Sequence, residues 1–233
     1  ICTANIKSIN GKTTYTQILN KDGGIEIDCT VVCLEKNYFR IISSAATRER
    51  DKFFILNNIS KDIIFEDVTD KYCCLGVFGP KSRDLLSKIS QDNFSNENFK
   101  FGTGKFVKIN DMKVWAQRLS YVGEIGFELY IETAHAKQLY TALVEEGNNH
   151  NLTHCGMHAM DTMRMENGFL HWGHDISPEE NQYQAGLDFA ISYKKNVDFL
   201  GKEALLKIKD KKIQKKMIML TLKELFSGSA KAF

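Results

Sequence analysis

The chain has 233 residues, 43% of them hydrophobic and 26% charged, with a formal net charge of +2. That size and balance suit one large or two small globular domains, and so small a charge sets up no field that draws nucleic acid or an anionic membrane surface. No apolar run reaches the ~20 residues of a membrane-spanning helix, and no secretory leader is visible.

The chain starts at Ile1 in mid-pattern and reads as a piece cut from a longer one. Its first part is rich in strand signals. In "YTQILNKDGGIEIDCTV" (15–31) the "NKDGG" is a turn, with Gly supplying positive φ. It launches a strand over 24–35, and a short turn, "KN", leads to another over 38–44. Asp28 sits between Ile27 and Cys29 in the first of these. Alternation puts it on one face with Glu26, which a plain polar strand edge also explains. Residues 46–58 have helical spacing. Residues 62–69, "DIIFEDVT", read as a strand from their β-branched content.

A second unit starts at Lys71. "YCCLGVFG" (72–79) reads as a short buried strand, and Pro80 opens a helix, "PKSRDLLSKI". "KFVKI" and "KVWAQRLS" flank the hairpin-like turn "NDM". "GFELYIE" is a further strand, and the amphipathic helix over 134–150 is ended by Gly147. This β-α-β-β-β-α order is the split βαβ pattern with an extra strand. Another helix covers 156–168, and "GKEALLKIK" is helical. The lysine-rich "KIKDKKIQKK" after it is a solvated helix end and turn, followed by a strand-like "KMIMLTL". The expected class is α+β with mostly antiparallel sheets.

Six cysteines without a CxxC spacing suit a reducing compartment, the cytoplasm or, in a eukaryote, the mitochondrial matrix. His150, His154 and His158 are spaced by four, but Gly156 and the loop-like "NNHNLTHCG" break the helix that a metal site would need, so no metal is expected. Asp161 and Arg164, three apart on a helix, read as a surface pair.

The sharpest question is Glu128, a lone carboxylate in the apolar run "IGFELYI". A charge there is costly unless it is paired or hydrogen-bonded. Strand alternation places Glu128 and Tyr130 on one face, so a carboxylate and a phenol point together, with Tyr121 and Gly123 at the bend before them. A half-exposed edge strand with a solvated Glu128 is the plainer alternative.

In order and spacing, "NKDGGIEIDCTV", "RLSYVGEIGFELYI" and "MRMENGFLHWGHDI", followed by "QAGLDFAI" and "DFLGKEAL", resemble the tetrahydrofolate-binding aminomethyltransferase family. That family comprises the glycine-cleavage T-protein and the C-terminal folate domain of dimethylglycine and sarcosine dehydrogenases. The resemblance runs over about residues 10–222. It implies a folate-binding domain formed by residues 1–70 and 156–222, a ferredoxin-like α+β subdomain over 71–155, and the start of a C-terminal barrel at 223–233.

It also implies a folate in a central cavity, pterin end deepest. Glu128 would accept the adjacent N–H and amino groups of the pterin edge, the geometry of a strong bidentate pair. Tyr121 would line the pocket, the backbone of Leu129 and Tyr130 would touch the ligand, and Phe189 would pack on it, though a core phenylalanine explains Phe189 equally well. Asp28 matches the family's acid beside the reacting folate nitrogens, with an acid–base and electrostatic role. Tyr15 stands thirteen residues before it, as the family's pocket tyrosine does, and Cys29 and Thr30 follow as neighbours.

Met160 replaces the T-protein's usual arginine, and Trp172 its usual tyrosine, which favours the dehydrogenase branch. The implied activity is transfer of a one-carbon unit from an amine-derived iminium to tetrahydrofolate. The implied partner is an upstream FAD domain or a lipoyl carrier protein. This chain has no G-x-G-x-x-G fingerprint, so FAD is expected only in a separate domain. A free-standing T-protein, a folate-dependent demethylase and a non-catalytic regulatory module of the same fold remain open alternatives.

Overall fold

In this computed structural model, which describes residues 1–221, two antiparallel sheets carry the chain. The first has the order β1-β2-β3, from β1 (Thr13–Leu19), β2 (Ile25–Glu35) and β3 (Tyr38–Ile42). The β1–β2 turn is held by Asn20, whose side-chain oxygen accepts from the backbone N–H of Asp22 at 3.0 Å and Gly24 at 2.9 Å. Its register places Gln17 opposite Asp28 and Tyr15 opposite Thr30. The period of two then sorts the side chains. Ile18, Ile27, Cys29 and Val31 form an apolar cluster with Ile55 of α1 (Arg48–Asn58). Tyr15, Gln17, Asp28, Thr30 and Val32 take the other face.

The second sheet has the order β4-β7-β6-β5, every neighbour antiparallel, from β4 (Tyr72–Phe78), β5 (Gly104–Ile109), β6 (Met112–Gln117) and β7 (Gly126–Glu132). Two strands separate β4 from β5, which is the extra strand expected of the split pattern. α2 (Ser82–Ile89) and α3 (Ala136–Gly147) bring Leu85, Leu86, Leu139 and Leu143 onto one face, against Val114, Phe127 and Leu129. Phe94 and Phe99 each lie 5.3 Å from the Phe127 ring. Each such buried side chain contributes about 1.5–3 kcal/mol.

The opposite face of this sheet carries Trp115, Gln117, Glu128 and Tyr130. Trp115 and Tyr130 pack with Val32, Leu34 and Ile42 of the first sheet. The polar faces of the two sheets therefore confront each other. Gly11 joins them: its carbonyl accepts from the N–H of Gly104 at 2.7 Å, and a Cβ at Gly11 would stand 2.2 Å from Gly104's own carbonyl oxygen.

α4 (Met157–Glu166), α5 (Gln182–Ala185) and α6 (Lys202–Lys209) complete the described residues. α5 starts in a capping box between Asn181 and Gln184. Leu19, Ile25, Ile176, Leu187, Phe199 and Leu205 make the core beneath this part.

Four expectations need correction. Residues 62–69 form no strand: Ile64 is 96% exposed, and side-chain contacts hold the segment, with Asp67 bonded to Arg48 at 2.8 Å. The described part of "KMIMLTL", 216–221, is no strand either. No sheet edge supplies it a ladder among the described residues; Met217 N–H donates to Gln184 at 2.8 Å, while Ile218 and Leu220 are exposed. β4 is an edge strand and only partly buried. Pro80 lies in the turn ahead of α2, which begins at Ser82. Residues 223–233 lie outside the described residues.

Candidate functional site

Glu128 stands on the central strand β7, between Gly76 of β4 and Gln117 of β6. Its Oε2 accepts from the Tyr130 hydroxyl at 2.7 Å and from the Gln117 amide at 3.3 Å. The direction of the second bond is set from behind. The Trp115 indole N–H faces Gln117 Oε1 at 3.5 Å, which leaves the amide nitrogen for Glu128. Oε1 of Glu128 accepts nothing among the described residues. Gly76 and Cys74 beside it are exposed, so the carboxylate borders open space. Burial pushes its pKa up, and the Tyr130 bond opposes that rise.

Asp28 has the same surroundings on the first sheet. Its cross-strand partner Gln17 donates to Oδ1 at 2.8 Å. Gln17 Oε1 in turn accepts from Gln182 at 2.5 Å, and the same Gln182 nitrogen reaches Thr3 Oγ1 at 3.1 Å. All three of Gln17, Gln182 and Thr3 are fully buried. Since Gln182 occupies the Gln17 oxygen, Gln17 can only donate to Asp28. Burial raises the Asp28 carboxyl to about 6, against the lowering effect of hydrogen bonds from Gln17 and Tyr15. Burial and the Asp28 charge push the Tyr15 phenol far up, so it stays protonated.

Tyr15 stacks on Phe189 with ring centroids 6.2 Å apart and planes 24° apart. Phe189 is 74% exposed, which removes the core reading of this residue. Tyr121 stacks in the same way on Phe169, at 6.2 Å and 18°, and its hydroxyl donates to the Leu170 carbonyl at 2.8 Å. Burial raises the Tyr121 phenol to about 12, with Arg164 lowering it and Asp175, Asp28 and Asp161 raising it through charge. Tyr121 is therefore within electrostatic reach of Asp28.

The bend that places Tyr121 needs Gly123, at φ 76°, because a Cβ there would run into the Asn167 side chain at 2.2 Å. Arg164 is 5% exposed and pairs with Asp161 at 2.7 Å, with Asp175, and with the Phe169 carbonyl at 3.1 Å. It is an internal clamp, not a surface ion pair.

The remaining expected residues divide by face. Thr30 shares the face of Tyr15 and Asp28. Cys29 is on the other face, inside the apolar cluster, and burial holds its thiol protonated. Leu129 points into the core under the second sheet, and the backbones of Leu129 and Tyr130 lie between two flanking strands. Sequence reasoning missed Gln17, Gln117, Gln182 and Phe169. A signal existed for the first two: each is a lone amide in an apolar strand, in "YTQIL" and "VWAQRL", eleven positions before the acid it holds.

Residues 1–195 match the sequence pattern of the GCVT N-terminal domain. The chain is 40% identical over 208 residues to 4-methylaminobutanoate oxidase (formaldehyde-forming) of Paenarthrobacter nicotinovorans, covering 88% of this chain and 25% of that protein. It is 32% identical over 222 residues to human mitochondrial dimethylglycine dehydrogenase, covering 94% of this chain and 26% of that protein. It is 32% identical over 225 residues to the aminomethyltransferase of Halothermothrix orenii, covering 96% and 62%. The chain thus spans about a quarter of the oxidase and dehydrogenase relatives and three fifths of the aminomethyltransferase.

Its fold matches the glycine cleavage system aminomethyltransferase T of Bartonella henselae with a TM-score of 0.72 at 24% identity, over 86% of this chain and 54% of that one. No helix among the described residues is long and apolar enough to cross a membrane. With the family pattern spanning residues 1–195 and the fold that of an aminomethyltransferase, the chain belongs to the GCVT aminomethyltransferase family.

Proposed function

We propose that this chain is the tetrahydrofolate-binding module of a protein that passes a one-carbon unit from an N-methyl amine to folate. The observation that carries the reading is the pair of buried acid–glutamine arrangements, Asp28–Gln17 and Glu128–Gln117, on confronting sheet faces. Glu128 keeps Oε1 without a partner at the edge of open space for one of the two adjacent donors of a pterin edge, the other reaching Oε2 beside Tyr130 and Gln117. Phe189 on Tyr15, and Phe169 on Tyr121, offer exposed flat surfaces to the rest of such a molecule. Tetrahydrofolate, once bound, supplies the nitrogens that take up the one-carbon unit.

The protein's own work is then divided between its two acids. Glu128 orients the ligand. Asp28, with a pKa of about 6, exchanges a proton near neutral pH and stabilises positive charge beside it. Gln17 and Tyr15 hold the Asp28 carboxylate in place. Thr30, on the same face, and the backbone of Leu129 and Tyr130 contribute to shape alone, while Cys29 packs behind the sheet.

The amine-oxidising step belongs to a separate FAD domain, a reading supported by 40% identity to a quarter-length stretch of an oxidase named as formaldehyde-forming. A lipoyl carrier as donor is the rival, supported by the aminomethyltransferase relatives. Residues 1–70 with 156–222 form the folate domain in this proposal, and 71–155 the subdomain that brings Glu128. The compartment is the cytoplasm or a mitochondrial matrix, as for the mitochondrial dehydrogenase.

Isothermal titration of tetrahydrofolate into the native-length protein tests the reading. Glu128→Ala should weaken binding on the order of 100-fold, the loss of charge-assisted bonds at a buried site. Asp28→Ala should lower turnover more than affinity. Equal, small effects from both would remove these roles, and no binding by the folded protein would leave a fold kept without its ligand. Transfer with an N-methyl amine and FAD, but none with an aminomethyl-lipoyl donor, separates the two donors.

A further inference from the structure

Arg40 is the one arginine among the described residues with neither a hydrogen bond nor a carboxylate partner there. It projects from β3, opposite Val32. Its guanidinium carbon lies 4.6 Å from the centre of the Tyr72 ring and 5.6 Å from that of Tyr130. Nη1 is closed off from solvent yet donates to nothing. Two aromatic faces offset part of the cost of taking a cation out of water, but they satisfy none of its N–H donors. A buried, unbonded donor on a charged group is among the costlier things a fold can hold.

Arg40 lines a cavity of about 390 Å³; Nη1 is sealed from it, while Nε and Nη2, equally without partners among the described residues, are not closed off from solvent. The floor is a row of rings across three strands: Phe106 of β5, Trp115 of β6 and Tyr130 of β7 stand in register. Phe106 meets Trp115 edge-on at 5.0 Å. At the rim Lys113 holds its ammonium 4.2 Å from the Phe106 ring centre, and Glu132, Asp111, His135 and Gln138 close the circle. The cavity lies apart from Asp28 and Glu128, which do not line it. Two floor residues link it to Glu128: Tyr130, whose hydroxyl donates to Glu128, and Trp115, whose indole N–H faces the Gln117 oxygen.

We infer that this cleft binds a small organic monocarboxylate with a flat or apolar body. The carboxylate would accept from Arg40 in the planar geometry a guanidinium offers, and the body would lie on the Phe106–Trp115–Tyr130 floor. The rim selects the charge. Asp111 is paired with Lys108 at 3.1 Å and Glu132 stands against Lys113 on the rim, so Arg40 is the one cation left over, which matches a monoanion better than a dianionic phosphate. The inference does not depend on folate binding: Tyr130 and Trp115 support Glu128 from behind, and the other cleft residues take no part in that site.

Benzoate is the probe, with benzamide as its neutral isostere, titrated by calorimetry into the native-length protein at pH 7.5. Benzoate should bind at one site per chain and change Trp115 emission. Benzamide should bind at least ~10-fold more weakly, because it cannot satisfy a cation. Arg40→Met should lose ~10- to 100-fold for benzoate with unchanged thermal unfolding. Saturating tetrahydrofolate should leave benzoate binding intact, which separates this cleft from the folate site.

Absence of benzoate binding at millimolar concentration overturns the inference. So does equal binding of benzoate and benzamide, a comparison that needs no variant to fold. A folded Arg40→Met protein that binds benzoate like the parent overturns it too. Tighter binding of inorganic phosphate than of benzoate at the same site would overturn the choice of a carboxylate.

Discussion

A carboxyl group that water would leave ionised above pH 4 is held at about 6 in Asp28. The cause is burial, which penalises the charged form more than Gln17 and Tyr15 stabilise it. The sign of the linkage follows. A carboxyl whose pKa is raised in the fold makes folding take up a proton. Its favourable contribution is present below the unfolded value of 3.8 and is lost as pH rises through about 6. Above pH 6 the folded protein bears the full cost of an ionised Asp28, about 2–3 kcal/mol at most. Asp28→Asn keeps an oxygen to accept from Gln17 and never ionises. It should therefore be more stable than the parent at pH 7.5 by on the order of 1–3 kcal/mol. The gain should shrink through pH 5 and be gone by pH 3.5. Urea unfolding of both proteins at these pH values measures it, and a pH-independent difference would mean that Asp28 is not the group being titrated. The same substitution should abolish transfer, so stability and activity move in opposite directions at one residue.

At the scale of an element, α5 has four residues and no packing surface of its own size, yet it fixes a catalytic candidate. Its capping box sets its start, and that start places Gln182 where its amide reaches both Thr3 and Gln17. The orientation of Gln17 follows from Gln182, and the state of Asp28 from Gln17. Gln17→Leu removes a bond that favours the Asp28 carboxylate and leaves the buried Gln182 amide with Thr3 as its one remaining acceptor. It should cost about 1–3 kcal/mol of stability for the stranded N–H and raise the Asp28 pKa further. The measurement is the pH–rate profile of transfer, whose acidic limb should move to higher pH. Gln182→Leu should shift the same limb less, because Gln17 can still donate. A profile identical to the parent's in both variants would leave the glutamines with a packing role alone.

These relays explain what the sequence could and could not disclose. The acids were legible, because a lone Asp28 or Glu128 in an apolar strand breaks a local rule. Their partners Gln17 and Gln117 stood out only as lone amides, and the pairing itself was not legible, since register alone decides which residue of the next strand lies opposite. β1 went unread for a related reason: "TTYTQIL" has strand composition but no clean alternation, as Thr16, bonded to Thr3, puts a polar group on one face and Gln17, bonded to Asp28, on the other. Residues 62–69 failed the other way, with β-branched composition but no neighbouring strand to pair with.

For the molecule as a whole, the second sheet separates stability from binding. α2 and α3 cover one face and the candidate site occupies the other, so each residue of β7 belongs to one task or the other by parity. Leu139 of α3 is fully buried on the helix side, across the sheet from Glu128. Leu139→Ala should cost about 2–5 kcal/mol, the usual range for a cavity of that size in a packed core. In the native-length protein this should lower the urea midpoint, while the folded molecules bind tetrahydrofolate within about 3-fold of the parent. That margin is the order expected for sites without shared contacts. A loss of affinity well beyond it, measured where the variant is still fully folded, would show that the helices do more than support the sheet. They would then set the position of Glu128 through the backbone of β7, and the two faces would have to be treated as one unit.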